Sequence, residues 1–142
     1  MSWHALAVGI NTKFDTDTGA GGLANSGIPL VTGYWNLEAP QQAEAPYIVL
    51  SPTTNVEVDT YTSGDHVEID FDAAIYSSKD QGTDIPAQVA ARVRALLHRQ
   101  TLTLGSGWTL AGFVLRTGST GPIVDDQIVQ QVEFYKAVLV KS

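Results

Sequence analysis

The run Val67-Glu68-Ile69-Asp70-Phe71-Asp72-Ala73-Ala74-Ile75-Tyr76 alternates almost without a break. Successive side chains of a strand point to opposite faces. An extended backbone therefore sets Val67, Ile69, Phe71, Ala73 and Ile75 on one side and Glu68, Asp70 and Asp72 on the other. A helix would mix the two sets. The feature demands a sheet with one buried face, and it raises a question about the other face. Three carboxylates in a column with no Lys or Arg between them repel one another. Such a column calls for a metal ion, a basic partner surface, or a role in which negative charge is itself useful.

At 142 residues the chain is long enough for one real core, and a single domain over 1–142 is expected. Apolar residues make up 44% and charged residues only 16%, a balance that suits a subunit hiding surface in an assembly. No apolar run approaches the ~20 residues of a membrane helix. Met1-Ser2-Trp3-His4 lacks the basic region of a secretory signal, so an intracellular product is expected. The absence of cysteine excludes disulfides, thiolate zinc sites and cysteine nucleophiles. The net charge of −7 is a poor match for gripping phosphates. It is also uneven: residues 1–84 hold twelve acids against Lys13 and Lys79, giving −10, and residues 85–142 hold three acids against six bases, giving +3. That asymmetry suits a molecule that meets copies of itself front to back.

Trp3, Leu6, Ala7, Ile10 and Phe14 fall at helical spacing behind Ser2, which predicts a helix over 2–14. From about 15 to 45 the chain is rich in glycine, with Gly19, Gly21, Gly22, Gly27 and Gly33, and only Ile28 to Thr32 offers a short strand. A mobile loop or arm is expected there, one that orders against a partner. Strands are predicted at 46–51 and 55–61, the second forming an antiparallel hairpin with 67–76 through Thr62-Ser63-Gly64-Asp65. A helix follows, capped by Thr83 or Asp84 with Pro86 in its first turn and an apolar stripe of Ile85, Val89, Val93, Leu96 and Leu97. Strands at 108–117 and 128–141 complete the order. The expected fold is α+β: a two-layer sandwich whose mainly antiparallel sheet of about four to five strands carries two helices on one face.

The chemistry-bearing residues are few. Alternate residues of a strand lie ~6.5–7 Å apart, so Glu68, Asp70 and Asp72 could place at most two carboxylates on one ion, and no calcium-loop motif is present. A solvated or partner-facing acidic surface is the stronger expectation. His4, His66 and His98 are scattered, and surface or capping roles suit each of them. Gly105-Ser106-Gly107 lacks the frame of a nucleophile elbow, and the glycines at 19–22 lack the lysine of a phosphate loop. No catalytic, cofactor-binding or metal residue is therefore assigned. Trp108 is expected in the core with Phe71 and Phe134, or at an interface. Arg92 and Arg99 share one flank of the second helix, either as a solvated face or as the basic surface that meets another copy's acidic strand.

Taken together, these residues resemble the tail terminator, or tail completion, proteins of long-tailed bacteriophages and gene transfer agents. The similarity runs from the short first helix and glycine-rich segment through Pro46-Tyr47-Ile48-Val49-Leu50, the strand Val67 to Tyr76, the helix Ile85 to Gln100 and the strand from Trp108. It ends in Gln131-Val132-Glu133-Phe134-Tyr135-Lys136-Ala137-Val138-Leu139-Val140. The resemblance implies a structural virion protein, made in the host cytoplasm and located at the neck end of the tail. It implies a ring, a hexamer, that caps the tail tube, stops its polymerisation and offers a docking surface to the head-completion or neck protein. DNA would pass through the lumen as a non-specific occupant, and an acidic wall would let it slide. The alternatives are another neck or tube protein, such as a stopper or tail-tube subunit, or a metal-dependent hydrolase using Glu68, Asp70 and Asp72.

Overall fold

The computed structural model describes residues 2–19, 22–25, 30–41, 43–58, 66–78, 80, 84–104, 107–125 and 127–141. In chain order the elements are α1 (Ser2–Asp15), β1 (Gly33–Asn36), β2 (Tyr47–Val58), β3 (His66–Ser78), α2 (Asp84–Leu97), β4 (Trp108–Leu110), β5 (Leu115–Ser119), β6 (Ile123–Asp125) and β7 (Ile128–Lys141). The strands form a 7-stranded sheet in the order β1-β2-β3-β7-β4, with β5 and β6 also paired to β7.

The architecture is α+β as expected, but the sheet is mixed and larger than a simple antiparallel sandwich of four to five strands. β1 runs parallel to β2, with Gly33 opposite Tyr47 and Asn36 opposite Leu50. The connection from Asn36 to Tyr47 is long enough for this. About ten residues can reach ~33 Å, more than enough to carry the chain back along a four-residue strand. On the other side, β4, β5 and β6 lie in succession along one edge of β7, opposite 139–141, 133–136 and 128–130. They divide the single strand expected from Trp108 onward. Gly112 breaks it with a left-handed φ of 83°. β2 joins the two strands expected at 46–51 and 55–61 into one, antiparallel to β3, and its register shifts between Pro52 and Thr54. The turn expected at 62–65 lies outside the described residues. β5 shifts register between Arg116 and Gly118. Both shifts flank the row Phe71 opposite Tyr135, and bulges at one level sharpen the local twist and curl the sheet.

One core fills the space between the helices and the odd-numbered face of β3 and β7. Leu6, Ile10 and Phe14 of α1 meet Val89, Val93 and Leu97 of α2, over Ile69, Phe71 and Ile75 of β3 and Tyr135, Ala137 and Leu139 of β7. Gly9 lets α1 approach the following chain closely: a Cβ there would stand 2.7 Å from Leu104 and 3.0 Å from the Thr103 carbonyl oxygen. Described parts of the glycine-rich segment are also packed. Leu23 and Val31 belong to the core, Tyr34 donates a hydrogen bond to Asp15, and the segment's strand is β1. Of the strand expected at 28–32, residues 30–32 form a bend and 28–29 lie outside the described residues.

A candidate assembly surface

Among the described residues, neither helix packs on the second face of the sheet. β7 shows why it stands out. Its inward side chains include Gln131 and Glu133, both buried, whereas Val132, Phe134, Val138 and Val140 point outward and are only partly covered. The strand cannot flip, because a slip by one residue would expose Tyr135, Ala137 and Leu139. Apolar side chains thus remain on the outside and a carboxylate is held on the inside.

Glu133 is tolerated there because Arg94 donates to its Oε1 at 2.8 Å and Arg116 at 3.2 Å. The carboxylate is fully buried and both guanidinium groups are partly in water. Burial, with the Glu133 charge adding to it, pushes the neighbouring Tyr135 phenol far above its ordinary range. Sequence reasoning missed this cluster. The signal was that polar residues divide between the two sets of 128–140, Gln130 and Lys136 in one and Gln131 and Glu133 in the other, so the alternation marks neither face as the wet one.

Across the outer face the side chains are graded. At one end an aromatic row crosses three strands. Trp35 lies over Gly33, where a Cβ would come within 2.6 Å of its ring. Trp35 meets Tyr47 edge-on at 5.8 Å, and Tyr47 stacks on Tyr76 at 5.1 Å. Gln130 donates to the Tyr76 hydroxyl at 3.1 Å. Val49, Ala74 and Val132 form the next row.

Toward the other end stands the acidic column predicted from the sequence. Asp72 accepts a hydrogen bond from Ser51 at 2.9 Å, and partial burial raises its pKa above the ordinary carboxylate value against the effect of that bond. Asp70 sits opposite Lys136 in the register. Lys136 reaches Glu68 at 3.5 Å, so a basic side chain from the adjacent strand partly offsets the column. Among the described residues no three His, Asp or Glu side chains are grouped so as to hold a metal ion.

The other expected residues are placed as follows. Arg92 pairs with Asp17 of its own chain, donating through Nε at 2.7 Å and through Nη2, while the Leu23 amide donates to the same carboxylate at 2.9 Å. Its guanidinium is therefore held within the subunit rather than offered whole to a neighbour. The Arg92 hydrogen bond, outweighing desolvation, holds the Asp17 carboxyl below its usual range. Arg99 is exposed, in a left-handed conformation with φ 58°, just beyond α2. Phe71 is in the core as expected, but its ring partners are Trp3 at 5.9 Å and Tyr135 at 5.5 Å. Phe134 lies on the opposite face of β7 from Tyr135 and so cannot join the core, and Trp108 packs against the core's margin, partly buried. His98 accepts a hydrogen bond from the Arg116 amide through Nδ1 at 3.0 Å, joining α2 to β5.

A small α+β subunit whose own helices cover one sheet face, while apolar and acidic side chains stand on the other, is built as a part of something larger. Residues 26–132 match the family model of the tail completion protein gp17, well over half of the chain, and the chain belongs to that family. It is a structural protein of the phage tail, and its place is the virion. Its fold is similar to that of a chain in the virion of a native gene transfer agent particle, with a TM-score of 0.74 and 16% identity over 96% of this chain and 95% of that one. A second solved structure matches with a TM-score of 0.59 and 16% identity, covering 96% of both chains. No curated protein is detectably similar in sequence. Among the described residues no helix is long and apolar enough to cross a membrane.

Proposed function

We propose that the chain acts as a tail terminator. Copies close into a ring, a hexamer, that caps the completed tail tube, halts its polymerisation and presents a docking surface to the head-completion or neck protein, with DNA passing through the lumen. The observation that carries this reading is the sheet face that neither helix covers. An outward apolar row on β7 is unfavourable in a free subunit and favourable when another molecule covers it. The column of Glu68, Asp70 and Asp72 on the same face gives a surface that repels phosphate, suited to a wall along which DNA slides. Glu68 held by Lys136 and Asp72 held by Ser51 favour this structural use over a metal-dependent hydrolase. Electron microscopy of the purified protein, alone and with tail tubes, tests the proposal. Closed rings seated at tube ends are expected. Open filaments of this chain would indicate a tube subunit instead, and particles without rings at either end of the tube would overturn the terminator reading.

A further inference from the structure

Independently of how copies assemble, we infer that the inner face of β7 holds two ordered internal waters, one joining Glu133 to Tyr135 and one joining Gln131 to Ser77. Four of the five buried side-chain oxygens without a hydrogen-bond partner among the described residues lie on this one face: Ser77 Oγ, Gln131 Oε1, Glu133 Oε2 and the Tyr135 hydroxyl. The fifth, Asn11 Oδ1, belongs to α1. Ser77, Glu133 and Tyr135 are wholly enclosed, and Gln131 is 8% exposed. Buried polar groups in folded proteins are paired with protein or with ordered water almost without exception. Gln131, Glu133 and Tyr135 follow one another on the inward side of β7. Ser77 stands diagonally from Gln131, because Ile75 faces Gln131 and Ser77 faces Val129.

Spacing and charge select water as the ligand. Same-face neighbours on a strand are ~6.5–7 Å apart, and one water making two hydrogen bonds of ~2.8 Å bridges most of such a gap. Ala73 faces Glu133 and adds no bulk beside the carboxylate. The Tyr135 ring stacks on Phe71 at 5.5 Å, which restrains its hydroxyl from swinging onto Glu133. Charge decides against a metal ion. Glu133 Oε1 already takes both Arg94 and Arg116, so the local charge is positive before any cation is added. A neutral molecule that donates to the carboxylate and accepts from the phenol meets both needs. The phenol has a proton to give, since burial and the Glu133 charge push its pKa up. These waters bear on assembly too. They satisfy the inward polar side chains of β7 in the register that turns Val132 and Phe134 outward.

Crystal structures of the wild-type chain, of Tyr135→Phe and of Ser77→Ala, at a resolution that shows ordered solvent, test the inference in whatever oligomer crystallises. Each substitution removes one hydroxyl and leaves the rest of the side chain in place. In the wild type one water is expected ~2.7–3.2 Å from both Glu133 Oε2 and the Tyr135 hydroxyl, and another at the same range from Gln131 Oε1 and Ser77 Oγ. Tyr135→Phe should lose the first water and keep the second, and Ser77→Ala should do the reverse. A wild-type structure with no water on this face, in which Arg94 or Arg116 turns onto Oε2 and Tyr135 bonds protein directly, would overturn the inference. So would a bound metal ion, recognised by its anomalous scattering and by oxygen contacts of ~2.3–2.6 Å. Waters unmoved by either substitution would belong to other groups and would overturn the assignment as well.

Discussion

At the scale of single residues, the two buried carboxylates carry most of the electrostatic content of the fold. Glu133 is completely enclosed and held by Arg94 and Arg116. Removing one partner of a buried ion pair leaves the other charge stranded, at a cost of ~3–5 kcal/mol, whereas replacing the whole set by apolar groups is often neutral or stabilising. Arg94→Ala with Arg116→Ala is therefore expected to lower the unfolding free energy by about that amount, and Glu133→Leu, with both arginines free to reach water, by far less. Chemical denaturation checks the order, and equal losses would mean that the carboxylate is not the stranded group. Asp17 behaves differently because its pairing lowers its pKa. A folded-state pKa below the unfolded value means that acid binds the unfolded chain more tightly. The stability from this pair is present above the ordinary Asp value near 3.9 and is lost as pH falls below it. Arg92→Ala should cost ~1–2 kcal/mol at neutral pH, discounted for the guanidinium's exposure. It should also flatten the loss of stability as pH falls below about 4, which denaturation at several pH values reads directly.

At the scale of elements, the sequence revealed β3, α1, α2 and β7 well, because each carries a strong period and at least one apolar face. The alternation from Val67 to Ile75 gave both the strand and its buried face. The same logic failed on β7, where Val132 and Phe134 look like core and are not. A partner surface and a core face have the same composition, and only pairing with β3 decides which is which. β1 escaped notice since Gly33-Tyr34-Trp35-Asn36 is short and its partner runs parallel. Arg92 looked free because the loop bringing Asp17 to it has no period to read. At this level the aromatic row yields a prediction. A Cβ on Gly33 would collide with the Trp35 ring, so Gly33→Val should displace Trp35 from beside Tyr47, shifting its fluorescence toward that of a water-exposed indole. Unchanged emission would mean that the ring packs elsewhere. Because the helices pack on the far side of the sheet, the loss of thermal stability should be modest, ~1 kcal/mol or less.

At the scale of the whole molecule, the two-faced sheet is what links fold to function. The helices complete one face, and the other, with its apolar row, aromatic end and acidic column, is left for an assembly. The family and the fold are those of a virion tail component, and the proposed terminator role adds that the assembly sets where the tube stops. Tail length in particles assembled without this chain tests that claim most directly. If the chain caps the tube, its removal should produce tails of broad and excessive length that fail to join heads, and restoring the wild-type chain should return one sharp length. Tails of normal, uniform length attached to heads in its absence would contradict the account.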